Sequence, residues 1–280
     1  MKIVLSIAGS DPSAGAGIQQ DLKTMTALGC YGATVITALT SQNTLGVQDV
    51  MAVPPQTVRS QFRSVLDDLE VSAIKIGQIP NRQVAVVICE ELCSYLSHRH
   101  VPVVYDPVMI STSGRRLMEE DCVSFLLANL FPLCTLVTPN IPETETLTGM
   151  SLRSSSDFDA VGHQLVERYS ASFLLKGGHS ASSSMVDRLY CSDGTSHSFA
   201  TEKVDSKNLH GTGCTLSSAI ASMLAQGHDL PSSVRLAKDY VTKAIIGGKN
   251  LHVGNGNGPL WMPLSRPSLT EVIPQSKNPP

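Results

Sequence analysis

The chain has 280 residues, of which 42% are hydrophobic and 16% are charged, and its formal net charge is −3. This content is ample for a sizeable core, and a slightly acidic chain lacks the basic surface typical of nucleic-acid-binding proteins. No apolar run approaches the roughly 18–20 residues that cross a bilayer, and the N-terminal run is too short for a secretory signal. We therefore expect a small-molecule partner rather than nucleic acid or a membrane.

Short segments rich in Val, Ile and Leu alternate along the chain with segments of helical periodicity. The predicted strands are KIVLSIAG (2–9), ATVITALT (33–40), AIKIG (73–77), VPVVYDP (101–107), LVTPN (136–140) and SFLLKGG (172–178). The predicted helices are 17–29, 56–70, 81–100, 157–170 and one that opens near 212. Apolar strands alternating with helices are typical of an α/β fold with a mostly parallel sheet covered on both faces. We predict one domain over 1–265 and a loosely ordered, Pro- and Ser-rich tail over 266–280.

Seven cysteines are scattered along the chain without paired CxxC spacing. Cys89 and Cys93 are one helical turn apart, and no second Cys/His pair lies at zinc-finger spacing. We interpret both as residues of an amphipathic helix rather than as zinc ligands. This cysteine usage suits a reducing compartment and predicts a cytoplasmic location.

Two glycine-rich segments lie where a helix is about to begin. The first is 9-GSDPSAGAGIQQD-21, after the first strand, and the second is 210-HGTGC-214. The first N–H groups of a helix have no partner within it and point along the positive end of its dipole, and glycine lets an anion come close to them. The segments therefore indicate anion binding, although ordinary glycine turns also explain them, and neither is a Rossmann or Walker fingerprint.

Polar side chains follow three of the later predicted strands. They are Asp106, the pair Asn140 and Glu143, and Lys176. Ligands of open α/β sheets bind beyond the carboxyl ends of the strands, so these side chains are expected to meet. Together they could hold Mg²⁺ and neutralise a polyphosphate. Alternatively, Asn140 and Glu143 simply cap a helix.

Six ordered blocks carry a more specific signal than any single motif. They are GSDPSAGAGIQQDLKT, VITALTSQNTLGV, VVYDPVMISTSG, LVTPNIPETETLTG, LLKGGH and HGTGCTLSSAIAS. In order and spacing they resemble the hydroxymethylpyrimidine/phosphomethylpyrimidine kinases of thiamine biosynthesis, which belong to the ribokinase-like superfamily together with bacterial pyridoxal kinases. The resemblance implies a three-layer sandwich, use of ATP and Mg²⁺, and a homodimer. It also implies phosphorylation of the hydroxymethyl group of 4-amino-5-hydroxymethyl-2-methylpyrimidine and then of its monophosphate.

The resemblance further implies roles for individual residues. The catalytic set, which combines an anion hole, a thiol that activates the substrate hydroxyl and a lysine, is Gly211, Thr212, Gly213, Cys214 and Lys176. The substrate-binding set is Gly9, Asp21, Gln42 and Gln78, the nucleotide-binding set is Asn140, Lys176 and Thr212, and the magnesium ligands are Asp106 and Glu143. A helix N-terminus is expected to lower the pKa of the Cys214 thiol. The alternative role for Cys214 is packing alone.

Three positions depart from the family pattern. Gln78 follows KIG where most pyrimidine kinases carry methionine, and it keeps a pyridoxal/pyridoxine kinase of vitamin B6 salvage open as an alternative. Leu209 replaces a threonine beside the anion hole, and Ala14 replaces a glycine in the first loop. A non-catalytic pyrimidine sensor is the third possibility, against which stand Asp106, Lys176 and the HGTGC turn together.

Overall fold

The structure, a computed structural model, describes residues 1–111, 113–177 and 184–262. The strands are β1 Ile3–Ser10, β2 Tyr31–Asn43, β3 Gly46–Ala52, β4 Ala73–Ile76, β5 Val103–Tyr105, β6 Leu136–Val137, β7 Ser172–Leu175, β8 Ser184–Tyr190 and β9 Ser196–Glu202. The α-helices are α1 Gly17–Ala27, α2 Pro55–Leu66, α3 Arg82–Leu96, α4 Glu120–Asn129, α5 Ile141–Thr148, α6 Ser155–Tyr169, α7 Thr212–Ala225 and α8 Leu230–Gly248. The predicted tail over 266–280 lies outside the described residues.

The strands form one sheet in the order β3-β2-β1-β4-β5-β6-β7-β8-β9. The six strands predicted from the sequence are the ones that pair in parallel, from β2 through β7 in that order. The remaining strands, β3, β8 and β9, join antiparallel at the two sides of the sheet. They were missed because β3 and β9 are edge strands, which are exposed and more polar, as the SHSFATE of β9 illustrates, and because Asp187 and Arg188 interrupt the apolar residues of β8.

Helices cover both faces of the sheet, because successive strand residues point to opposite sides. Leu5 of β1 belongs to a core with side chains of α2, α3, α4 and α6. Its neighbour Val4 belongs to a second core with α1, α7 and α8. The predicted three-layer, ribokinase-like α/β sandwich is confirmed. Burial on both faces also explains why these strands read as continuous apolar runs.

The helices follow the predicted amphipathic pattern, with shifted ends. In α3 Cys89 is buried and Cys93 is exposed, as expected for residues of an amphipathic helix. Helix α8 was not predicted, although Asp229 caps it by accepting a hydrogen bond from the Ser232 amide. No helix within the described parts of the chain has the length and apolar character needed to span a membrane.

Candidate active site

A pocket opens at the carboxyl edge of the parallel strands, with a cavity volume of about 190 Å³. Both glycine-rich segments border it, one between β1 and α1 and the other at the start of α7. The predicted site residues that line it are Gly9, Gln42, Gln78, Asp106, Asn140, Glu143, Lys176, Gly211, Thr212, Gly213 and Cys214. Residues from six strand ends and from the start of α7, more than two hundred positions apart in sequence, therefore meet in one cavity.

The polar floor of the pocket is an ion pair next to the start of α7. Lys176 Nζ donates to Asp106 Oδ1 at 2.8 Å, and the Thr138 hydroxyl donates to the same oxygen at 3.2 Å. A Cβ placed on Gly213 would lie 3.0 Å from Asp106 Oδ2 and 3.7 Å from Lys176 Nζ. Burial favours a neutral amine, but the negative charges of Asp106 and Glu143 outweigh this effect and raise the pKa of Lys176. A fixed cation therefore stands beside a helix N-terminus.

Asn140 and Glu143 both cap a helix and line the pocket. The Asn140 side chain accepts from the Glu143 amide at 2.9 Å, and Glu143 Oε2 accepts from the Asn140 amide at 2.8 Å. This reciprocal capping box starts α5. Burial and the nearby Asp106 charge raise the pKa of Glu143 to about 7, against the opposing effect of Lys176. The helix-capping interpretation is thus correct, and the carboxyl group also faces the cavity.

The raised pKa of Glu143 predicts a pH-dependent stability. Between the ordinary value of 4.5 and about 7, the folded carboxyl keeps a proton that the unfolded chain has lost. Stability should therefore fall as pH rises through this window, by about 1.4 kcal/mol per pH unit from this group. Glu143→Gln keeps the capping box and removes the titration. Urea unfolding from pH 5 to 7 in the presence of a chelator should give a free energy of unfolding that falls more steeply with pH in the wild-type chain than in Glu143→Gln. Equal slopes in the two chains would contradict the prediction.

Cys214 lies in the first turn of α7, half-buried at the pocket wall. Burial raises the pKa of its thiol to about 11; Lys75 offsets part of this effect, whereas Asp21 and Asp106 add to it. The expected lowering of the thiol pKa by the helix N-terminus is therefore wrong. Desolvation and two nearby carboxylates outweigh the helix dipole, whose effect falls off within one turn.

The HGTGC turn differs in one detail from the predicted anion hole. The Thr212 amide donates to Leu209 O at 3.3 Å, and the Thr212 hydroxyl donates to the same carbonyl at 2.7 Å. Both donors of Thr212 are thus engaged within the turn. The N–H groups of Gly213 and Cys214 lie in the first turn of α7 and are better placed to meet an anion.

Gly211 adopts a left-handed conformation with φ of 85°, and a Cβ there would lie 1.9 Å from Gly15 O. The two glycine-rich loops therefore touch backbone to backbone, which leaves no room for a side chain at Gly211. In the first loop Ala14 takes φ of 59°, a conformation that favours glycine. The resemblance noted in the sequence predicts a glycine at this position.

Asp21 was predicted to bind the substrate, but it does not line the pocket. It is fully buried, and its carboxylate accepts from Lys75 Nζ at 2.9 and 2.8 Å. The Ser6 and Ser218 hydroxyls donate to it at 2.6 and 2.7 Å. This cluster lies between the sheet, α1 and α7. Asp21 therefore supports the pocket wall from behind.

The remaining substrate-side predictions meet in the pocket. A Cβ on Gly9 would lie 2.1 Å from Gln78 Oε1, so the Gln78 side chain packs against the bare Gly9 backbone. The Gln78 amide nitrogen donates to Leu117 O at 3.4 Å. Gln42, at the end of β2, lies across the cavity beside His210, with its amide nitrogen 3.0 Å from the ring nitrogen Nε2. The structure thus brings Gly9, Gln42 and Gln78 together.

Sequence reasoning missed the pair formed by Asp11 and His210. Asp11 Oδ2 lies 2.9 Å from His210 Nε2, and both residues are buried at the pocket wall. Burial raises the pKa of Asp11, but hydrogen bonds from His210 and Ser13 outweigh it and lower the pKa overall. The two residues lie 199 positions apart, so no local pattern could have linked them.

A second missed pair lies behind the Lys176 backbone. Lys238 Nζ of α8 donates to Asp187 Oδ2 at 2.6 Å, and Asp187 Oδ1 accepts from the Gly177 amide at 2.9 Å. This arrangement connects α8 to the end of the strand that presents Lys176. The Gly178 and His179 of the LLKGGH block lie outside the described residues.

The profile of the family described as Phosphomethylpyrimidine kinase matches residues 11–261. The chain belongs to this family. The family predicted from the six sequence blocks is therefore confirmed.

Two similar proteins differ in the share of their own length that this chain matches. The hydroxymethylpyrimidine/phosphomethylpyrimidine kinase of Rhizobium meliloti is 42% identical over 259 residues, which are 92% of this chain and 96% of that protein. The thiamine biosynthesis bifunctional protein ThiED of Geobacter sulfurreducens is 45% identical over 258 residues. That match takes in 92% of this chain but 51% of the bifunctional protein, so the chain spans about half of it.

A solved structure with the same fold is an ADP complex of Bacillus subtilis pyridoxal kinase. It is 30% identical to this chain, with a TM-score of 0.83, and the alignment covers 93% of this chain and 97% of that one. The fold of this kinase family is thus shared with an enzyme named for a different vitamin.

Proposed function

We propose that this phosphomethylpyrimidine kinase family member transfers the γ-phosphoryl group of ATP to the hydroxymethyl group of 4-amino-5-hydroxymethyl-2-methylpyrimidine. It then phosphorylates the resulting monophosphate to the pyrophosphate, in thiamine biosynthesis. The observation that carries the proposal is the meeting of Lys176 and Asp106 with the start of α7, in the same cavity as Gln42. The two similar proteins from Rhizobium meliloti and Geobacter sulfurreducens, which are named for this kinase activity and for thiamine biosynthesis, support the same activity.

Several polar groups of the pocket have a role in this reaction. Lys176 and the amides of Gly213 and Cys214 neutralise charge on the transferred phosphoryl group, and Asn140 lies on the nucleotide side. The Gln42 amide offers a donor and an acceptor to the aminopyrimidine edge. The thiolate form of Cys214 takes the proton of the attacking hydroxyl and becomes the thiol. The second phosphorylation requires the same cavity to accept the phosphate of the intermediate.

The carboxylates of Asp106 and Glu143 fit a magnesium ion. Burial, and to a smaller extent the nearby Asp106 charge, raises the pKa of Glu143, and a bound cation would oppose both effects. Within the described residues no three His, Cys, Asp or Glu side chains cluster as metal ligands. Mg²⁺ needs only one or two carboxylates, because water and phosphate oxygens complete its shell. When bound, it would neutralise phosphate charge.

A pyridoxal kinase activity is the second candidate. Gln78 gives the pocket a polar wall at the position where the resemblance expects methionine in most pyrimidine kinases, and a pyridoxal kinase that is 30% identical shares the fold. The homodimer and the cytoplasmic location stay predictions. The non-catalytic sensor has no observation in its favour.

A substrate panel tests the proposal. The purified chain is incubated with ATP, Mg²⁺ and one of hydroxymethylpyrimidine, its monophosphate or pyridoxal, and each product is analysed by mass to count its phosphates. We expect the highest kcat/KM with the two pyrimidines, and a product carrying two phosphates. A higher kcat/KM with pyridoxal would favour the second candidate, and no turnover with any of the three would overturn both.

A further inference from the structure

The orientation of the Gln42 amide is set by its hydrogen-bond partners, since the oxygen and nitrogen of an amide are interchanged by a half-turn. With its nitrogen toward His210, Gln42 Nε2 lies 3.0 Å from the ring atom Nε2. Its oxygen then lies 3.2 Å from the Thr40 hydroxyl. One contact on each side of the amide, to His210 and to Thr40, decides whether this orientation pairs donors with acceptors.

The first observation concerns the proton of His210. Asp11 Oδ2 lies 2.9 Å from Nε2, and a carboxylate can only accept, so Nε2 carries a hydrogen. This holds for the neutral Nε2–H tautomer and for the imidazolium alike. An amide nitrogen at 3.0 Å would then point a hydrogen at a hydrogen. The amide oxygen fits this place instead, because the one Nε2–H can be shared between two acceptors, Asp11 Oδ2 and the Gln42 oxygen.

The second observation concerns the single proton of the Thr40 hydroxyl. Thr40 Oγ1 lies 3.0 Å from Ser10 O, a carbonyl that can only accept, so the proton goes there. The Gln42 atom 3.2 Å from Thr40 Oγ1 must therefore be a donor, which is the amide nitrogen. Both sides independently require the same half-turn.

The ring of His210 is itself held in place. A Cβ on Gly15 would lie 2.3 Å from His210 Cδ2, so the ring packs against the bare backbone of the first loop. His210 and Asp11 are buried, and Asp11 Oδ2 also accepts from the Gly15 and Ala16 amides at 3.2 and 2.9 Å. The hydrogen at Nε2 therefore has a fixed position relative to Gln42.

We infer that His210, held by Asp11, is a positioning residue that fixes the Gln42 amide with its oxygen toward His210 and its nitrogen toward Thr40. The inference rests on the proposed function, which places an aminopyrimidine edge against Gln42. The remaining lone pair accepts from the exocyclic amine, and the remaining N–H donates to the adjacent ring nitrogen. A 4-oxo pyrimidine in its lactam form presents acceptor and donor in the reverse order, so the fixed amide rejects it.

The test compares kcat/KM for 4-amino-5-hydroxymethyl-2-methylpyrimidine with that for its 4-oxo analogue. We expect the wild-type chain to prefer the amine by about 10- to 100-fold, the range of one bidentate pair. His210→Leu removes the fixed hydrogen, and the ratio should fall several-fold toward one, mainly through KM. His210→Gln retains an N–H donor and should keep most of the preference. Gln42→Ala should abolish it.

A second pair of variants approaches the amide from its other side and leaves the buried pair intact. Thr40→Val removes the acceptor for the amide nitrogen and should also lower the ratio, whereas Thr40→Ser should preserve it. If the wild-type chain phosphorylates the amine and the ratio is unchanged in both His210→Leu and Thr40→Val, the inference is wrong and the proposed function stands. If the wild-type chain phosphorylates neither pyrimidine, the proposed function fails and the inference with it.

Discussion

Replacement of Cys214 by alanine should lower kcat by about 100- to 10,000-fold, the usual contribution of a general base, with little change in ATP affinity. The thiol stands at the start of α7 in the same cavity as Lys176, where the proposed reaction places the acceptor hydroxyl. Steady-state kinetics with a coupled ADP assay measures the loss. Cys93→Ala, which removes an exposed thiol from α3, is the matched control and should leave kcat unchanged.

The pH profile separates proton transfer from packing. A thiol with a pKa of about 11 is mostly protonated near neutrality, so the fraction of thiolate, and kcat with it, should rise with pH between 7.5 and 9.5. Cys214→Asp supplies a base that is already ionised in this range and should flatten the profile. A wild-type profile that is flat, or identical in the aspartate variant, would assign Cys214 a packing role.

Disruption of the buried pair between Asp21 and Lys75 should have the largest effect on folding. Neither side chain is exposed, so Lys75→Met leaves a carboxylate without its countercharge in the interior. Breaking a buried pair in this way typically costs about 3–5 kcal/mol. Urea unfolding followed by both fluorescence and circular dichroism measures the change and checks that the transition has two states.

A double-mutant cycle gives the control for this prediction. Asp21→Asn in the Lys75→Met background removes the stranded charge while keeping an oxygen for the Ser6 and Ser218 hydroxyls, so it should recover part of the lost stability. Arg116→Met, which breaks an exposed pair with Glu120, should change stability little. A Lys75→Met variant as stable as the Arg116→Met variant would contradict the argument.

The sequence predicted the parallel core of the fold because strands buried on both faces are apolar throughout, as in the IVLSIAGS of β1. It did not predict β9 or β3, whose exposed edges carry no such pattern. The same limit applies to the site. Asp106 and Lys176 were found because they directly follow buried strands, whereas Lys75 lies within β4 and looks like an interruption of an apolar run.

The sequence indicated which residues lie near the pocket, but not whether each side chain faces the cavity or is buried behind its wall. Asp21 and Gln42 were both assigned to the substrate pocket, yet Asp21 turns away into the layer beneath α7 and Gln42 faces the cavity. The direction of the Cys214 pKa also depended on burial and on two carboxylates distant in sequence. Such effects arise from tertiary neighbours, which a local motif does not contain.

The contact between the two glycine-rich loops has a consequence for how the protein matures during synthesis. Gly15 emerges from the ribosome early, whereas Gly211, which packs on its carbonyl, follows almost two hundred residues later. Closing so long a loop is entropically costly and tends to come late in folding. A nascent chain that stops short of α7 thus lacks the second glycine-rich loop, and the contact that completes the pocket wall forms only after Gly211 has emerged.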